Sequence, residues 1–217
     1  VQFFHNGYNN AMSALNWVFE NYDAPDTIFV AGSSAGAIAS PFYAGLVAEH
    51  YPDARIVQLG DAGGGYRSPE AIGRVNEAWG TFSILPDWEE YAGYTPDTLS
   101  FETYYEATGT RFPDMVMSEY NTAYDEVQLS FLAILGVMDV PLPDLLDANI
   151  ADIQASVENF YTYTAGGSVH TMLRGAELYA YEVEGVRLVD WVAALVAGDM
   201  VENVTCADCD NPPDAGE

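Results

Sequence analysis

Apolar residues recur along this chain with two periods, and their alternation predicts a layered α/β fold. Ala11, Leu15, Val18 and Tyr22 are spaced for a helix over 9–22, after a short opening at 1–4 that reads as the end of a strand. The nearly continuous apolar run 27–31 predicts a central parallel strand covered on both faces. A helix follows to about His50; Pro41 is expected to kink it or delay its start, and Pro52 to end it. Further parallel strands are predicted over 55–59, 114–120 and 160–164, and further helices over 125–136, 145–159 and 185–196. Residues 68–109, rich in Trp and Tyr, read as an insertion of short helices whose aromatics either cap the core or line a pocket. Together these predict one domain over 1–200 and an acidic, frayed tail over 201–217.

Composition narrows the functional classes. The chain has 217 residues, 49% of them hydrophobic and 13% aromatic, enough for a large core and too apolar for a disordered chain. Its longest apolar run, 131–138, is too short to span a bilayer, so no membrane span is expected. Thirty-three acidic residues face six arginines and no lysine, a formal net charge of −27. Nucleic acid is therefore excluded as a partner. Such an excess repels itself unless counterions screen it, and a saline habitat is the simplest inference. Nothing in the sequence sets an oligomeric state.

Cys206 and Cys209 form a Cys-x-x-Cys pair in the tail. A zinc site needs about four ligands and the three histidines lie elsewhere, so no metal is expected. A thioredoxin-like pair would follow a strand and open a helix, which this one does not. A short local disulfide, or bridges to residues outside this sequence, is expected instead.

The chemistry centres on Gly32-Ser33-Ser34-Ala35-Gly36, between the strand at 27–31 and a helix. Gly-x-Ser-x-Gly in that context is a nucleophile elbow, a sharp strand-to-helix turn that presents a serine hydroxyl above the sheet edge. Both glycines are expected to be required, because a side chain at either would clash as the backbone reverses. Ser34 is then the candidate nucleophile, and the Ala35 N–H a candidate oxyanion donor. A serine hydroxyl needs an adjacent base, held in its tautomer by a carboxylate. Of His5, His50 and His170, only His170 lies in a glycine-flanked loop after a strand, downstream of the other site elements. In α/β-hydrolases the order is Ser, acid, His, and Ser34, Asp125 and His170 satisfy it. Asp61 also follows a strand, with Asp139 and Asp144 as further choices, so the residues alone leave the acid open. Gly63-Gly64-Gly65, beyond the strand at 55–59, is a candidate wall of the site.

Gly-Ser-Ser-Ala-Gly-Ala at 32–37, Tyr-Asp-Glu-Val-Gln-Leu at 124–129 and Gly-Ser-Val-His-Thr-Met-Leu at 167–173 resemble the pectin acetylesterase and Notum family of carboxylesterases. The resemblance extends over nearly the whole chain. It implies an α/β-hydrolase-like three-layer fold with a mainly parallel sheet, Ser34 as nucleophile, Asp125 rather than Asp61 as acid, and His170 as base. It also implies a secreted, cofactor-free esterase acting on an acylated small molecule or polysaccharide. Family members carry a glycine-rich oxyanion loop upstream of the elbow helix, and nothing before Val1 supplies one here. The chain is accordingly expected to lack N-terminal strands and half of its oxyanion hole, a loss of about 3 kcal/mol of transition-state stabilisation for one donor. The net charge of −27 argues against polyanionic pectin as substrate unless salt screens both.

Overall fold

A computed structural model describes residues 5–211; the strand end expected at 1–4 and the last six residues of the tail lie outside it. Five parallel strands form one sheet in the order β1-β2-β3-β4-β7. They are β1 (Thr27–Ser33), β2 (Arg55–Asp61), β3 (Met117–Thr122), β4 (Phe160–Ala165) and β7 (Val204–Thr205). Among the helices are α1 (Gly7–Asn21), α2 (Ala35–His50), α3 (Pro69–Trp79), α4 (Glu102–Arg111), α5 (Glu126–Leu135), α6 (Leu142–Gln154), α7 (Glu177–Ala180) and α8 (Leu188–Ala197). The fold is α/β, as expected. None of the described helices is long and apolar enough to cross a membrane.

Alternation along each strand divides the core into two layers. Ile56, Met117 and Phe160 pack beneath α2, α4 and α6 with Ala44, Val47, Tyr105 and Ile153. On the opposite face Leu59, Tyr120 and Tyr163 meet Leu188, Trp191 and Leu195 of α8. A third apolar cluster joins Phe42 of α2 to Trp88, Tyr91 and Tyr104 of the aromatic segment and to Leu142 and Leu146 of α6. The segment read as an insertion therefore ends in α4, a structural helix whose Thr108 hydroxyl donates to the Pro41 carbonyl.

Several expectations need correction. Strand β1 is not central: it forms one edge of the described sheet, and its Phe29 is 37% exposed. Ile28 and Val30 face the α2 layer, whereas no described residue buries Thr27, Phe29 and Ala31 on the other side. Pro41 does not delay α2, which is helical from Ala35 through Pro41 to His50. The Ala37 carbonyl, which a residue with an N–H at position 41 would satisfy, accepts instead from the Ser40 hydroxyl at 2.8 Å. Helix α6 starts and ends earlier than predicted, because Pro143 suits its first turn and the Ser156 and Val157 amides fold back onto Ile153. The last helix begins at Leu188, not 185. Glu184 and Gly185, both at positive φ, form the two-residue turn of a hairpin between β5 (Glu182–Val183) and β6 (Val186–Arg187). Part of the tail is ordered, not frayed: β7 pairs with β4, and the turn beyond it is closed by the Cys206–Cys209 disulfide, the short local bridge expected of that pair.

Candidate active site

All the candidate catalytic groups lie at the C-terminal edge of the sheet, the end where open α/β sheets bind ligands. Register aligns Ser33 of β1 with Asp61 of β2, Asp61 with Tyr120 of β3, and Thr122 with Ala165 of β4. The loops beyond these ends carry Ser34, Asp125 and His170.

Ser34 sits at φ 57°, ψ −120°, a region that a non-glycine residue occupies at a cost of about 1–3 kcal/mol. Its amide donates to the Asp61 carbonyl at 2.8 Å, which anchors the turn to the next strand. The two elbow glycines differ in role. A Cβ on Gly32 would lie 2.1 Å from the Gly36 carbonyl oxygen, whereas one on Gly36 would meet nothing within 4 Å. The expectation that both positions exclude a side chain thus holds for Gly32 alone; Gly36 contributes the backbone that Gly32 must admit. Ala35, exposed at the first position of α2, has an N–H with no acceptor inside the helix.

Asp125 is fully buried and caps α5. Its Oδ1 accepts from the amides of Val127 (2.9 Å) and Gln128 (3.0 Å). Its Oδ2 accepts from His170 Nδ1 at 2.7 Å and from Gln128 Nε2 at 3.1 Å. A carboxylate can only accept, so Nδ1 carries the proton and the lone pair of neutral His170 is on Nε2. That Nε2 is buried and has no hydrogen-bond partner among the described residues, including Ser34. Hydrogen bonds between a nucleophile and its base are often open before substrate binds. The base loop is fastened to the acid loop by Tyr124 N–H to the Gly167 carbonyl and Glu126 N–H to the Ser168 carbonyl, at 3.0 and 3.2 Å. The disulfide turn braces it from outside, the Cys209 carbonyl accepting from Gly167 N–H at 2.9 Å.

The other candidates fall elsewhere. Asp139 and Asp144 are exposed; His50 is exposed and stacks on Phe19, with ring centroids 3.8 Å apart. Buried Asp61 hydrogen-bonds to no histidine. Gly64 and Gly65 are buried, and their amides donate inward to Asn121 Oδ1 and Gln128 Oε1, at 3.1 and 2.9 Å. The loop meets the space beside Ser34 through the next residue, Tyr66. Burial, with the nearby Asp125 charge, pushes Tyr66 up to about 12, so its hydroxyl stays protonated at neutral pH.

A pocket of about 170 Å³ opens at Ser34 and Ala35 and is walled by Ile38, Tyr66, Trp79, Phe101, Phe131 and Leu135, among others. A second of about 480 Å³ shares Ala35, Ile38, Trp79 and Phe101 with it and reaches His5 and Tyr8. The aromatic segment thus serves both anticipated purposes: Trp88, Tyr91 and Tyr105 are core, while Trp79 and Phe101 line the pockets.

Two buried residues beneath the glycine loop carry no signal in the sequence beyond the presence of Gln128 in the quoted 124–129 stretch. Gln128 Nε2 also donates to Asn121 Oδ1, and Asn121 Nδ2 donates to Glu119 Oε2, so side-chain hydrogen bonds run unbroken from Asp125 to Glu119. Desolvation pushes Glu119 up to about 7, against the opposing pull of hydrogen bonds from Asn149, Tyr105 and Asn121. A raised carboxyl pKa means that the folded state holds this proton more tightly than the unfolded chain. The stabilisation is complete below the unfolded value near 4.5 and is lost as pH rises to about 7. Its magnitude is on the order of 3 kcal/mol. Glu119→Gln should remove that pH dependence, seen as a difference between variant and parent urea midpoints that changes between pH 4.5 and 7; parallel pH profiles would refute it.

No family model matches the sequence, and neither does any curated protein. Among solved structures, the chain is similar to the Wnt deacylase Notum from Drosophila, with a TM-score of 0.56 at 16% identity. The match covers 91% of this chain and 62% of that one, so this chain spans less than two thirds of the length of its structural neighbour. The likeness is one of fold.

Proposed function

We propose that this chain is a serine hydrolase of carboxylic esters, with Ser34 as nucleophile, His170 as general base and acid, and Asp125 as the partner of His170. The observation that carries the reading is the 2.7 Å bond from His170 Nδ1 to a buried, fully hydrogen-bonded Asp125, which leaves an unpaired Nε2 at the same sheet edge as a serine at positive φ. A buried nitrogen without a partner calls for a functional explanation. A structural neighbour named as a deacylase is consistent with it.

In the first half-reaction Ser34 Oγ bonds to the acyl carbon as its proton passes to His170 Nε2. Asp125 stabilises the imidazolium, and the Ala35 N–H donates to the developing oxyanion. Collapse breaks the bond to the alcohol oxygen, which takes the proton from Nε2, and the acyl group remains on Ser34. Water then attacks the acyl carbon and gives its proton to Nε2. The bond to Ser34 Oγ breaks, Nε2 returns the proton to it, and the acid is released.

The apolar wall of the pocket at Ser34 suits an acyl group larger than acetyl, and the adjoining pocket has room for the alcohol. Each methylene buried there contributes up to about 0.8 kcal/mol, about fourfold in kcat/KM. A secreted location belongs to the same proposal and is supported by the Cys206–Cys209 disulfide, a feature of oxidising compartments.

A fluorophosphonate probe tests the reading. Labelling is expected at Ser34, lost in Ser34→Ala and in His170→Ala, and hydrolysis of p-nitrophenyl esters should rise from acetate to butyrate. A folded chain that does not label overturns the reading.

A further inference from the structure

Asp61, set aside above as the acid, has a geometry that a loop anchor of convenience does not need. It is fully buried at the end of β2, and both of its oxygens are committed. Oδ1 accepts from the Met172 amide at 2.9 Å; Oδ2 accepts from the Leu173 amide at 3.1 Å and from the Ser33 hydroxyl at 2.6 Å. Its main-chain carbonyl takes the Ser34 amide. One residue therefore grips the end of the strand that leads into the nucleophile and the two amides that follow the base by two and three positions.

Between His170 and those amides stands Thr171 at φ 64°. A β-branched residue in the left-handed region is strained and persists only where its surroundings over-determine it. The two charge-assisted bonds from Met172 and Leu173 to one carboxylate restrain it, together with the burial of the Met172 side chain in the α8 layer. Without them the backbone beyond His170 can relax toward negative φ, which swings the imidazole relative to the elbow. The bond from Asp125 fixes Nδ1 but leaves the ring free to tilt about it.

We infer that Asp61 is a positioning residue for the reaction, a clamp that sets the distance between His170 Nε2 and Ser34 Oγ by holding the Thr171 turn against the elbow. The inference rests on the hydrolase reading above. Asp61→Asn keeps the shape but leaves one oxygen for three donors, so at least one of the Met172, Leu173 and Ser33 contacts is lost.

The test begins with fluorophosphonate labelling of the unmodified chain; absence of labelling there refutes the hydrolase reading and is thereby separate from the clamp. Given labelling, Asp61→Asn is expected to lower kcat for a p-nitrophenyl ester about 10- to 100-fold with KM within about threefold, the scale of an ångström-level misplacement. In a His170→Ala background the same substitution should change the residual rate less than about twofold, because the clamp acts through the imidazole. The low-field proton resonance of His170 Nδ1–H should broaden or move in Asp61→Asn. Unchanged kcat, or an equal fall in both backgrounds, overturns the inference. Should Asp61→Asn fail to fold, Ser33→Ala frees one bond of Oδ2 and is expected to slow labelling at least threefold, with Ser33→Thr, which keeps the hydroxyl, restoring it. Equal rates in the Ser33 pair overturn the clamp as well.

Discussion

Asp125→Asn is expected to lower kcat about 10,000-fold, with the protein still folded. Asparagine retains an oxygen to cap α5 through the Val127 and Gln128 amides, but it presents an NH₂ where Oδ2 now meets His170 Nδ1. The imidazole can then accept at Nδ1 only with its proton on Nε2, and a protonated Nε2 takes nothing from Ser34. Gln128 Nε2, which also donates to Oδ2, loses an acceptor, so stability should fall by about 1–2 kcal/mol. Asp125→Ala removes the cap in addition and should cost about 1 kcal/mol more without slowing the reaction much further. Exposed Asp144→Asn is the control, expected within twofold of the parent. Steady-state kinetics and urea midpoints on the three variants decide the matter. Retention of activity within tenfold in Asp125→Asn would remove Asp125 from the site and with it the proposed use of His170.

How much of this was legible beforehand differs by residue, and the differences have physical causes. The elbow is a local event: a strained turn between a strand and a helix needs particular residues at fixed offsets, so 32–36 announces itself. His170 could be placed by order and by a loop after a strand, because a parallel sheet brings such loops to one edge whatever lies between them, whereas Asp61 met the same conditions as Asp125 and only the resemblance at 124–129 favoured the latter. The hydrogen bond that joins His170 to Asp125 is visible only in three dimensions. The edge position of β1 was not legible, since a run such as Ile28-Phe29-Val30 is equally apolar whether or not another layer covers it. Pro41 misled because the bond it forfeits is replaced by Ser40, a compensation one residue away that helix rules do not weigh. Asp61 and Gln128 reach partners 63 to 112 positions distant, and Glu119 is held by the buried side-chain amides of Asn121 and Asn149, contacts with no sequence period to betray them. The tail escaped for a related reason. Its edge strand is two residues long, too short for alternation to show, and its disulfide turn is ordered by meeting Gly167.

The second large effect is one of stability, and it separates the two glycines of the elbow. Gly32→Ala should cost more than about 4 kcal/mol or prevent folding. The added Cβ falls 2.1 Å from the Gly36 oxygen, 2.4 Å from its carbonyl carbon and 3.0 Å from its Cα. All three atoms are backbone in the first turn of α2, so no rotamer change relieves the overlap. The helix itself must retreat, and α2 is packed against β1, β2 and α4 along its length. Any retreat also carries the Ala35 N–H away from the position where an oxyanion would form. A folded Gly32→Ala chain should therefore label slowly as well as unfold early. Gly36→Ala is expected to do the reverse. Its Cβ enters open space, the residue is helical, and alanine there should raise stability by about 0.5–1 kcal/mol through the lower entropy of the unfolded chain. If urea midpoints of the two variants move together, the pattern of two required glycines is a requirement on both side chains after all. If they diverge as stated, only the first glycine answers to sterics, and the second position has room for a side chain.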